Sequence, residues 1–347
     1  MAGKTREKPI SKDNEKRVSM TFEDNSLIPL LFGEHNAHLH YLENMLNVDI
    51  ASRGGTISIK GTPKAMQTAQ AVLEMMWQRL QKNQDVSISD VDAALRFAKG
   101  EKTGKIEPGP HANRETFLDE KASVKGGTGG KTVNPRSPNQ AAYIEALRRK
   151  DMVFGLGPAG TGKTFLAVAV AVELYREGLV ERLVFTRPAV EAGERLGFLP
   201  GDMLEKIDPY LRPIYDALRE LMPGDMVQKK MAAGDIEIAP LAFMRGRTLK
   251  NAFVVLDEAQ NTTAMQMKMF LTRMGQGSRM AITGDPTQTD LPHGTVSGLK
   301  QAVDILKDVP EVGFVQFDKG DVVRHKLVAR IIEAYDRHDM RQKAKET

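Results

Sequence analysis

Gly157-Pro158-Ala159-Gly160-Thr161-Gly162-Lys163-Thr164 is the stretch on which the reading of this chain turns. It fits G-x-x-x-x-G-K-[ST], and its surroundings fit as well as its letters. The apolar run Met152-Val-Phe-Gly-Leu156 leads into it as a buried strand, and Phe165 to Tyr175 (FLAVAVAVELY) leaves it as a helix free of Gly and Pro. A strand–loop–helix of this kind turns backbone N–H groups and a helix N-terminus toward one anion. The glycines let the backbone wrap closely around it. Lys163 is then placed to reach β- and γ-phosphates, and the Thr164 hydroxyl to ligate Mg²⁺. The whole stretch Gly157–Thr164 becomes the expected nucleotide cradle.

A second segment, Lys125-Gly-Gly-Thr-Gly-Gly-Lys131-Thr132, also ends in G-K-T. Lys125 replaces the first glycine, no apolar strand precedes it and no helix former follows. It reads as flexible, solvated linker.

The 347 residues are enough for about two domains. An apolar content of 41% with 27% charged residues is that of an ordinary globular protein. The chain has no cysteine, which excludes disulfides and thiolate zinc sites. The opening MAGKTREKPISKDNEKR has no apolar core of signal-peptide length, so a cytoplasmic location is expected. The apolar runs are too short for a membrane span. A net charge of +4 permits nucleic-acid binding without arguing for it.

Residues 1–17 read as a polar disordered tail, 18–98 as a small α+β domain, 99–133 as linker, 134–336 as an α/β domain and 337–347 as a charged tail. In the first domain Val18–Phe22 alternates as a strand, Ser26–Phe32 and Ala37–Leu46 are helical, and Val48-Asp-Ile-Ala and Thr56–Lys60 form strands about an Arg53-Gly54-Gly55 turn. Pro63 opens a helix running to about Leu80. This order resembles a type I KH domain, an RNA-binding module, whose GxxG loop would fall at Gly33–Asn36, with Asn36 in place of the second glycine and an acidic Glu34. The resemblance implies a KH-like shape. His35, His38 and His40 lack a carboxylate or thiolate set to close a metal site; a pH-sensitive basic face is the alternative. Met66, Met75, Met76 and Trp77 read as core.

In the second domain apolar strands alternate with helices, the pattern of a parallel sheet covered on both faces. Phe253-Val-Val-Leu256 is a buried strand ending in Asp257-Glu258, and such strand ends are where open α/β sheets hold ligands. Asp257 suits the Mg²⁺ shell and Glu258 the activation of water. Solvent-facing structural carboxylates are the alternative reading. Arg279-Met-Ala-Ile-Thr283 leads to Gly284-Asp285-Pro-Thr-Gln288, where Gln288 can orient water or report hydrolysis. Gln140, just before the helix Ala141–Arg149, can read adenine with its amide.

Four blocks, Pro138-Asn-Gln140, Gly157–Thr164, Asp257-Glu-Ala-Gln260 and Gly284-Asp-Pro-Thr-Gln288, stand in the order of superfamily 1 helicase-type ATPases. Two more, Thr186-Arg187-Pro188 through Asp202 and Pro240 through Leu249, resemble the PhoH family in particular. The resemblance implies a RecA-like P-loop ATPase using ATP and Mg²⁺, tied to RNA metabolism and phosphate starvation. Single-stranded RNA is then the expected substrate, with helicase-like remodelling as the expected activity. The alternative is an ATP-dependent switch or scaffold for an endoribonuclease. With one phosphate loop in the chain, a homo-oligomeric ring would let each subunit complete its neighbour's site. Arg324 is the first candidate for that completing arginine, with Arg187, Arg245 and Arg247 behind it.

Overall fold

A computed structural model describes residues 17–99, 117, 122–126, 132–188, 203–292, 294–322, 331 and 335, with backbone alone for 203–210. Residues 1–16 and 337–347, Arg324 and most of the linker fall outside the described residues, while Arg17, expected as the end of the tail, opens the first strand.

The chain divides into two compact units. In the first, β1 (Arg17–Thr21), helices Ile28–Phe32 and Ala37–Leu46, β2 (Asp49–Arg53), β3 (Thr56–Lys60) and helix Pro63–Gln81 follow one another. The three strands form an antiparallel sheet ordered β1-β3-β2. Ile57 and Ile59 alternate inward from β3 and are fully buried, as the period of 2 requires. Pro63 occupies the first turn of its helix, and the Thr62 hydroxyl accepts the Ala65 N–H at 3.4 Å as N-cap. Met66, Met75, Met76 and Trp77 are core residues. A further helix, Ile88–Lys99, is an element that the sequence reading did not separate.

His38 belongs to no exposed basic face. It is buried, and its Nδ1 lies 3.0 Å from the Leu31 carbonyl that accepts its proton. His40 pairs instead with Glu43. Among the described residues no cluster of three or more potential ligands could hold a metal. Asn36 adopts φ 59°, ψ 26°, the left-handed conformation that glycine takes without cost and asparagine tolerates best among other residues.

The second unit is a six-stranded sheet ordered β11-β6-β10-β9-β7-β8. Its strands are β6 (Met152–Leu156), β7 (Arg182–Arg187), β8 (Ile236–Pro240), β9 (Ala252–Leu256), β10 (Arg279–Gly284) and β11 (Val312–Gln316). Every pairing is parallel, and helices cover both faces, giving the expected α/β architecture. Val153, Phe253, Val255 and Ala281 enter one core with the helices Pro138–Arg149, Lys163–Arg176 and Met203–Leu221. Their neighbours Phe154, Val254, Leu256 and Ile282 enter the other with the helices Ala264–Leu271 and Gly298–Leu306. Burial on both faces explains why these strands read as unbroken apolar runs.

The stretch expected as solvated linker contributes to this unit. β4 (Val124–Lys125) pairs antiparallel with β5 (Thr132–Val133), and Val124 is fully buried in the first core. The Glu173 carboxylate accepts the Lys125 N–H at 3.2 Å, and the Gly126 carbonyl accepts from Arg176. Two residues per strand are too few to show a period, so the ribbon leaves no signal in the sequence.

Gly155, in the middle of β6, leaves room for Tyr143. A Cβ there would come within 2.8 Å of the buried ring. Gly155→Ala should therefore destabilise the unit by about 1–3 kcal/mol through overpacking. At roughly 2–4 °C per kcal/mol for a domain of this size, calorimetry would read a lowered midpoint. An unchanged midpoint would mean that the Tyr143 ring is not held against the strand.

Candidate active site

The sheet order brings the site together. β10 lies between β6 and β9, so the loop after β6, the carboxylates after β9 and the turn after β10 meet at one edge. The Gly284 carbonyl accepts the Gly157 N–H at 3.1 Å, tying the first and third of these. Gly157 takes φ 140°, and a side chain there would collide with the Phe317 carbonyl, so only glycine suits the start of the loop. Gly162 caps the helix Lys163–Arg176, again with positive φ.

Lys163 is buried to 8% exposure. Its ammonium donates to the carbonyls of Gly157 and Pro158, each at 2.7 Å, and to the Thr161 hydroxyl at 3.3 Å. The charge thus lies across the loop, where a phosphate would meet it. The Thr164 hydroxyl donates to Asp257 Oδ1 at 2.6 Å, and the Thr283 hydroxyl donates to the same oxygen at 2.7 Å. Two hydroxyls from neighbouring elements fix one carboxylate. Thr164 and Asp257 are hard oxygen donors from facing sides, a pairing that fits Mg²⁺.

Glu258 sits one residue beyond, in the left-handed region at φ 52°. Both of its oxygens are engaged. Oε1 lies 3.1 Å from Arg187 Nη2, and Oε2 accepts from Gln260 Nε2. Gln260 Oε1 in turn accepts the Asp285 N–H at 3.0 Å, so this amide joins Glu258 to the turn after β10. Gln260 and Thr283 were not singled out for these roles; Thr283 reaches Asp257 from the neighbouring strand, and Gln260 links Glu258, two residues away, to the turn after β10.

A cleft of about 450 Å³ gathers Lys163, Thr164, Asp257, Glu258, Gln288 and Arg187. Asp216 and Glu220, one helical turn apart on Met203–Leu221, also line it and were not foreseen. Gln288 sits exposed at the mouth.

Gln140, the expected adenine reader, has both ends of its amide engaged within the protein. It is buried, its amide donates to the Thr161 carbonyl at 3.0 Å, and its Oε1 accepts the Arg136 N–H at 2.7 Å. In this arrangement it braces the phosphate loop. Beside it, Asn139 donates to the buried Asp321 at 2.7 Å. Arg247 is held by two 2.6 Å bonds to Glu237, which keep its guanidinium above its ordinary pKa, and it does not line the cleft.

The sequence profile of the PhoH-like protein family matches residues 132–336. A PhoH-like protein of Bacillus subtilis is 47% identical over 309 residues, covering 89% of this chain and 94% of that protein. A PhoH-like protein of Mycobacterium bovis is 46% identical over 327 residues, covering 94% and 90%. Protein PhoH of Escherichia coli K12 is 46% identical over 202 residues, covering 58% and 57%. Among solved structures, the SWI2/SNF2 ATPase core domain of Sulfolobus solfataricus aligns at 17% identity with a TM-score of 0.28, covering 49% of this chain and 32% of that one. That alignment is too slight to add to the sheet order.

Proposed function

The chain belongs to the PhoH-like protein family, and we propose that it is an ATPase that couples hydrolysis to the remodelling of single-stranded RNA. The observation that carries the ATPase reading is the convergence of Lys163, Thr164, Asp257 and Glu258 in one cleft at the ends of parallel strands. The loop Gly157–Thr164 would cradle the β- and γ-phosphates, with Lys163 supplying the point charge. Thr164 and Asp257 would hold Mg²⁺, which when bound neutralises charge on the phosphate oxygens. Glu258 would take a proton from the water that attacks the γ-phosphorus, as the bond to the β–γ bridging oxygen breaks and ADP leaves. Gln260 would align that carboxylate, and Gln288, exposed beside the cleft, would sense the phosphate.

The RNA part of the reading draws its support from the first unit. Its element order is that of a KH-like module, and Asn36 holds the positive φ that the second glycine of a GxxG loop would supply. A homo-oligomeric ring, with Arg324 entering a neighbour's cleft, is the corresponding proposal for completing the site. No helix among the described residues is long and apolar enough to cross a membrane.

ATP turnover of the purified protein, with and without an unstructured oligouridylate, tests this directly. Turnover that rises with the oligonucleotide supports the coupling. Turnover indifferent to it would instead favour an ATP-dependent switch or scaffold, and absence of turnover would overturn the ATPase reading.

A further inference from the structure

Arg187 is the feature of the cleft that phosphate binding and hydrolysis leave unexplained. β7 and β9 pair in register, with Thr186 opposite Leu256, and the Thr186 carbonyl accepts the Asp257 N–H at 2.9 Å. Arg187 and the pair Asp257-Glu258 are thereby brought to the same end of the sheet. Arg187 then reaches Glu258 Oε1, while Gln260 keeps Oε2. Each oxygen of this carboxylate thus already accepts one donor, so a water has to compete with Arg187 for Oε1. The two side chains are 21% and 38% exposed, so the pair is open to competition from solvent-borne anions.

We propose that Arg187 is a positioning residue that holds the Glu258 carboxylate back, and that a phosphate group drawn to its guanidinium releases Oε1 to act as the base. This rests on the ATPase reading given above and names its regulation. An arginine is suited to the exchange, since its planar fork binds a carboxylate and a phosphate with the same geometry. Gln260 would keep its hold on Oε2 through the exchange, so the released carboxylate stays oriented. The phosphate is a phosphodiester of a strand laid across the end of β7; release by the γ-phosphate of nucleotide in the same cleft is the rival outcome that the experiments separate.

The first experiment is turnover of Arg187→Ala and Arg187→Lys beside the parent, with and without oligouridylate. Arg187→Ala should raise strand-free turnover by roughly two- to fivefold, the scale of a half-exposed ion pair, and should no longer respond to the oligonucleotide. Arg187→Lys should restore part of both the restraint and the response. A fall of strand-free turnover in Arg187→Ala would overturn the proposal, because it would make Arg187 a direct partner of the reacting phosphate.

The second experiment does not depend on turnover. Chemical unfolding of the parent, Arg187→Ala, Glu258→Gln and the double variant should be non-additive, which reads the pair itself. Repeating that cycle with a non-hydrolysable ATP analogue, and separately with oligouridylate, identifies which phosphate breaks it. Additivity in one arm names the source. Coupling that persists in both arms, or that is absent in the free protein, refutes the release. A protein with the coupling but no turnover would fail the ATPase reading while leaving the restraint in place.

Discussion

Lys163→Ala should remove ATP hydrolysis by at least about a hundred- to a thousandfold, the scale of losing one preorganised charge-stabilising donor. Three of its hydrogen bonds stay within its own loop, to Gly157, Pro158 and Thr161. Its loss therefore leaves the strands and both cores as they are. The loop would keep its backbone shape, which depends on Gly157 and Gly162 and on the Gln140 brace. Phosphate release from ATP, measured beside a thermal melt, separates the two effects. The expected result is a folded protein with a near-parental melt and no turnover. Hydrolysis at the parental rate would show that the loop is not where the triphosphate binds.

Three strands of the second unit, β6, β9 and β10, could be read almost residue for residue. Met152–Leu156 is the strand expected, and the strands at 253–256 and 279–283 extend by one residue at an end. Burial on both faces is a local property and leaves an apolar run behind it. The helix after the loop begins at Lys163, two residues before the apolar run, because Lys163 and Thr164 in its first turn line the cleft. What the sequence could not carry is partnership. Asp257 depends on Thr283 from another strand, and Glu258 depends on Arg187 through the β7–β9 register. Gln140 looked free to read a base because its partners, the Thr161 carbonyl and the Arg136 N–H, are backbone atoms with no letter of their own. Arg247 looked available for a different reason: its partner, the Glu237 carboxylate, stands ten residues away on β8 and meets it only in the fold.

Glu258→Gln should separate binding from chemistry, which Lys163→Ala cannot do. The substitution keeps the shape of the side chain and an oxygen for Gln260 to hold, but removes the group that can accept a proton. Asp257 is untouched, since Thr164 and Thr283 fix it independently of Glu258. ATP should therefore bind as it does to the parent, while hydrolysis falls by about a hundredfold or more. Titration with a fluorescent ATP analogue and single-turnover phosphate release read the two quantities separately. Loss of binding would mean that Glu258 helps hold the nucleotide or its Mg²⁺, and the division of labour between the adjacent carboxylates would be wrong. Parental turnover would mean that the water is activated elsewhere in the cleft, where Asp216, Glu220 and Asp285 are the other carboxylates present. A slow, tight-binding variant is the outcome that assigns proton acceptance to Glu258 and cation binding to Asp257.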